Sequence, residues 1–72
     1  MKLKSIHIAN LSGYINNSYY FLSINRESKH APILIWLDKE KNIVRVEYNS
    51  GAVEVIVLGN CSMYTYLPLN DE

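Results

Sequence analysis

Cysteine is nearly absent from this chain, and so are proline, glycine and any long apolar run. Cys61 is the single cysteine among 72 residues, which excludes an intrachain disulfide; one thiol with His7 and His30 cannot supply the four ligands of a structural zinc site. The three glycines, Gly13, Gly51 and Gly59, are isolated and each fits a turn, so no loop is built to cradle a phosphate. No stretch approaches the roughly 18 apolar residues of a membrane span. Lys2 and Lys4 are not followed by the roughly 7 apolar residues that a secretion signal places after its cations. The expectation is a cytoplasmic protein with no membrane partner.

Charge of one sign is also lacking. Seven Lys and Arg residues balance seven Asp and Glu residues, which argues against the strong field of a dedicated nucleic-acid or membrane-surface binder. The distribution is uneven. Through His30, Lys2, Lys4, Arg26 and Lys29 outnumber Glu27, net +3, and the remainder carries net −3.

Catalytic groupings are missing as well. His7 lies between Ile6 and Ile8, His30 falls in a loop-like stretch, and neither has a carboxylate or thiol at a catalytic or metal-binding spacing. Cys61 has no neighbouring base, and Asp38 and Glu40 sit among lysines, where turn formation and solvation account for them. The sequence therefore predicts no enzyme, no cofactor, no metal and no small-molecule substrate.

What is present is β-forming. Between residues 32 and 67 short runs of Ile, Val and Tyr alternate with Asp, Asn, Gly and Ser, the punctuation of strands and turns. Strands are predicted over 33–37, 43–48, 52–58 and 61–67. Two more are predicted near 2–9 and 19–25, with a short helix over 15–22 as the rival reading of that region. The fold class is mainly β: an antiparallel meander of about five to six strands closing into a small barrel or sandwich. It forms a single domain over 1–67 with a short acidic tail over 68–72.

Strand side chains alternate faces, so turn length fixes which residues share a surface. A five-residue loop over 38–42, a two-residue turn at Ser50-Gly51 and a type II′ turn at Gly59-Asn60 would set Leu34, Trp36, Val44, Val46, Tyr48, Val53, Val55, Val57, Tyr64 and Tyr66 on one core face. A three-residue loop, Asn49-Ser50-Gly51 with a glycine bulge, would change the count at the second corner. The opposite face would then carry Ile33, Ile35, Leu37, Ile43, Ile56, Leu58, Cys61 and Met63 beside Arg45, Glu47, Glu54 and Thr65, more apolar than a solvated sheet surface should be.

A chain this small rarely gains more than roughly 3–5 kcal/mol from its own core. Apolar residues on both sheet faces call for a cover: the N-terminal strands are the first candidate, and where they cannot reach the whole face a second subunit or a target protein must. The functional expectation is a non-enzymatic protein-interaction module: a small phage- or mobile-element-type accessory or inhibitory protein on a larger partner, or a self-associating β domain. Its interface would comprise Ile35, Ile56, Met63 and Arg45. The alternative is a small β-barrel binding single-stranded nucleic acid, with Tyr14, Tyr19 and Tyr20 as a stacking platform and Lys2, Lys4, Arg26 and Lys29 on the phosphates.

Overall fold

The computed structural model describes residues 1–9 and 20–69. Six strands follow in chain order: β1 (Leu3–Ala9), β2 (Tyr20–Ser23), β3 (Pro32–Asp38), β4 (Ile43–Tyr48), β5 (Val53–Val57) and β6 (Met63–Pro68), with one 3₁₀ turn at Leu58–Asn60 before β6. They form two antiparallel sheets of three strands, ordered β2-β1-β6 and β3-β4-β5. The mainly β class is as expected, but the barrel is not closed, because β5 and β6 do not pair. Of the helix considered over 15–22, Tyr20 to Leu22 belong to β2, and 15–19 lie outside the described residues. Pro68 and Leu69, expected in the tail, are part of the domain: Pro68 ends β6, and the Leu69 N–H donates to the Lys2 carbonyl at 3.0 Å.

The single meander is corrected at the last turn. Gly59 does not adopt the positive φ that a type II′ hairpin requires; Gly51 alone among the described glycines does. Residues 58–60 instead coil into the 3₁₀ turn. The Leu58 N–H makes a last bond to the Asn42 carbonyl, and the Cys61 N–H closes onto the Leu58 carbonyl. The chain then crosses to the other sheet, where Ile6 faces Tyr66 and Ile8 faces Tyr64.

Both remaining turns differ from expectation by one residue, and each slip inverts a strand. Asp38 pairs with Ile43, so the β3–β4 loop has four residues, 39–42, held by the Lys41 N–H on Asp38 Oδ1 and by Asn42 at φ 57°. The β4–β5 loop is the three-residue alternative: the Tyr48 N–H bonds the Ala52 carbonyl, and Gly51 takes φ 95°, a conformation glycine adopts without steric cost. Val44 and Val46 keep their inward positions, while Ile35, Leu37, Ile56 and Leu58 replace Leu34, Trp36, Val53, Val55 and Val57 in the interior.

The interior is aliphatic. Leu3, Ile6, Ile8 and Leu22 from one sheet meet Ile35, Leu37, Val44, Val46 and Ile56 from the other, with Leu58 from the 3₁₀ turn. Each extra methylene removed from water is worth about 0.8 kcal/mol, so the register that buries Ile and Leu is favoured over the one that buries Val. A bulge between Leu3 and Ser5 lets both Leu3 and Ile6 turn inward on β1 despite their odd spacing. At one corner the sheets are stitched by backbone: Met1 and Leu37 exchange N–H to carbonyl bonds of 3.1 and 2.9 Å, and the Asn25 N–H donates to Pro32.

Candidate protein-interaction surface

The slipped register exports a set of apolar side chains. On the outer face of β3-β4-β5, Trp36, Arg45 and Val55 form one row across the strands, Leu34, Glu47 and Val53 a second, and Asp38, Ile43 and Val57 a third. Val53 is 59% exposed, Val55 55%, Val57 48% and Trp36 41%, so the edge strand presents an unbroken line of valines. The charges between them cancel: the Arg45 guanidinium is paired with the Glu47 carboxylate along β4. The two rows crossing Trp36 and Leu34 therefore carry no net charge, and Asp38 adds a carboxylate at the end of the third.

One charged residue of β5 points the other way. Glu54 is turned toward the interior, where a bare carboxylate would be costly. Two phenols satisfy it: the Tyr20 and Tyr48 hydroxyls donate to Glu54 Oε1 at 2.7 and 2.8 Å. Tyr20 comes from β2 and Glu54 from β5, so the cluster ties one sheet to the other. Burial, and then the bond to Glu54, push the Tyr20 phenol far above its ordinary range, and it stays protonated through any physiological pH.

A second group of aromatics closes another part of the rim. Tyr64 and Tyr66 stack at 6.2 Å with 24° between their planes, and Lys39 Nζ lies 5.5 Å from the Tyr66 ring centre. The contact with Tyr66 raises the ammonium above its usual range. Cys61 is half-buried, and its thiol donates to the Leu58 carbonyl at 2.9 Å. Among the described residues no three His, Cys, Asp or Glu side chains gather as a metal site, and no helix is long and apolar enough to cross a membrane.

The expected interface residues do not share a surface. Ile35 and Ile56 are 0% and 3% exposed and belong to the core; the one-residue slips at both ends of β4 put them there. Arg45 is on the outer face of β4, whereas Met63 is exposed on the outer face of the other sheet, beside Ala9. Of the proposed stacking platform, Tyr14 and Tyr19 lie outside the described residues, and Tyr20 is engaged by Glu54. Lys2 and Arg26 line one recess of about 250 Å³ together with Leu3, Ile24 and Ile33. Lys29 lies instead beside Asn49 and Ser50, and Lys4 is exposed on β1.

Sequence reasoning missed Trp36, Val53, Val55 and Val57 as surface residues. The three-residue reading of Asn49-Ser50-Gly51 turns the β5 valines outward, whereas Trp36 turns outward because Asp38 ends β3 and leaves a four-residue loop. No family model matches this chain, and comparison with curated proteins and with solved structures finds no match.

Proposed function

We propose that this protein is a non-enzymatic interaction module of sandwich-like build, which docks on another protein through the outer face of β3-β4-β5. The observation that carries this reading is the line of half-exposed valines on β5, with Trp36 on the far strand of the same face, across Arg45. Exposed apolar residues scattered singly are ordinary, but apolar residues aligned along one strand of a small domain are a feature of interaction sites. The Arg45–Glu47 pair leaves no net charge between Trp36 and Val55, and Trp and Arg are enriched at interfaces. In this reading its role on a larger protein is accessory or inhibitory.

A nucleic-acid role draws less support. The Tyr20 ring packs against the core with its hydroxyl on Glu54, and the four cations are divided between separate places rather than lining one groove.

The test is site-specific photo-crosslinking of the full chain in the cells that make it. A photoreactive residue replacing Trp36 should give a discrete protein adduct, and the same residue replacing exposed Glu40 in the β3–β4 loop should not. Equal labelling from both positions, or none from Trp36, contradicts the reading.

A further inference from the structure

The free edge of β5 has a geometry that selects its own partner. In the β4–β5 ladder the bonds from Tyr48 N–H to the Ala52 carbonyl and from Leu58 N–H to the Asn42 carbonyl fix which residues exchange hydrogen bonds. Bonded and non-bonded pairs alternate along an antiparallel ladder. Given the pairing of Val46 with Glu54 and Val44 with Ile56, the N–H and C=O groups of Glu54 and Ile56 point at β4. Those of Val53, Val55 and Val57 point away from it, and no described residue bonds to them.

The other edges are blunted in ways natural sheets use. Met1 and Lys2 cover part of β3, β2 is four residues long, and β6 ends in Pro68. β5 has no proline, no lysine and no bulge. Its single inward charge, Glu54, is a device that can block edge pairing, but here the carboxylate is already held by Tyr20 and Tyr48.

We infer that two copies of this chain pair antiparallel along β5, about a two-fold axis at Val55. The sequence Val53-Glu54-Val55-Ile56-Val57 reads symmetrically about its centre for this purpose. Val55 meets Val55 of the second copy, and Val53 meets Val57. All three pairs are hydrogen-bonded pairs in this register, so every outward backbone group of β5 finds a partner. The valine side chains of both copies then lie side by side on one face, where β-branched cross-strand neighbours are favourable. Glu54 faces Ile56 of the second copy rather than another Glu54, so no like charges stand opposite each other. A two-fold axis also closes the assembly at two chains instead of letting it grow. The inference rests on the proposed docking role in one respect: pairing would join two outer faces into one six-stranded surface of twice the area.

Residue-resolved amide hydrogen exchange on the full chain, paired with sedimentation over a dilution series, tests this. The expected result is a mass of two chains at high concentration and one on dilution. Protection of the Val53, Val55 and Val57 amides should rise with concentration, while the Glu54 and Ile56 amides stay protected throughout. Val55→Pro removes an N–H that β4 does not use, and proline is tolerated at such edge positions. It should give one-chain mass at every concentration with a folded β spectrum, and Val55→Thr should still pair. A wild-type chain that stays single at all concentrations with a fast-exchanging Val55 amide overturns the inference. So does a dimer in which the Val55 amide stays unprotected, or one that Val55→Pro leaves intact. None of these results touches crosslinking from position 36 on β3, so the docking role is judged separately.

Discussion

The two sheets bury similar aliphatic residues against each other but face outward differently. On β2-β1-β6 the exposed apolar residues are dispersed: Phe21 shares its row with His7 and Thr65, and Leu67 lies across from Ser5 and Ser23. The Phe21 ring meets His7 edge-on at 5.8 Å, which gives it a local partner. On β3-β4-β5 the valines are aligned along one strand, and the only charges on the two rows crossing Trp36 and Leu34 cancel one another. The difference teaches that the number of exposed apolar residues says little here. Contiguity is what separates an ordinary surface from a candidate docking face.

The sharpest break in the comparison is between the two sides of the second sheet. Ile35, fully enclosed, should lose about 2–5 kcal/mol of stability as Ile35→Ala through lost burial and a residual cavity. Val55→Thr on the outer face should change monomer stability by under about 0.5 kcal/mol. Urea unfolding of both variants measures the contrast, and equal costs would mean that the outer face is not free.

A smaller effect is expected where the sheets are joined. Tyr20→Phe leaves Glu54 one donor short and should cost about 1.5–3 kcal/mol, the range for a hydrogen bond to a charged group. Its pH dependence has a definite sign. The folded state raises the Tyr20 phenol above its ordinary value of 10.0, so the contribution is fully present below about pH 10 and is lost as the unfolded phenol ionises above it. The gap between wild type and Tyr20→Phe in unfolding free energy should therefore shrink on the alkaline side of pH 10 and stay constant from pH 6 to 9. A gap that widens with alkali would contradict the assignment.

Much of the fold is legible in the amino-acid order because period-two patterning is a local property. Strand positions for β3, β4 and β5 follow from the Ile/Val runs and their Asn, Asp and Gly boundaries. Tyr48, Tyr64 and Tyr66 pack against the core edge, as their amphipathic rings suggest. Faces were harder to read, since both sides of β3 and β5 are apolar and alternation alone cannot choose between them. The choice lay in the loops: Asp38 serves as the last residue of β3 while its side chain caps Lys41, and Gly51 at φ 95° closes a three-residue loop. Glu54 argued for the wrong side, because a charge on a strand ordinarily marks the solvated face. The phenols that offset its burial lie 34 and 6 residues away in sequence. The pairing of β6 with β1 is equally non-local, and no turn residue at Gly59-Asn60 encodes it. The candidate face inherited these errors: Ile35 and Ile56 were exchanged for Trp36 and the β5 valines by two one-residue slips.

Everything functional depends on Val55 being outside and Ile56 inside. Thiol labelling tests it directly: in a Cys61→Ser background, Val55→Cys and Ile56→Cys are each treated with a water-soluble maleimide under native conditions. The account expects rapid modification at position 55 and protection at position 56 until the chain unfolds. Protection at 55 in the single-chain state, together with rapid labelling at 56, would return the valines to the core and remove the docking face.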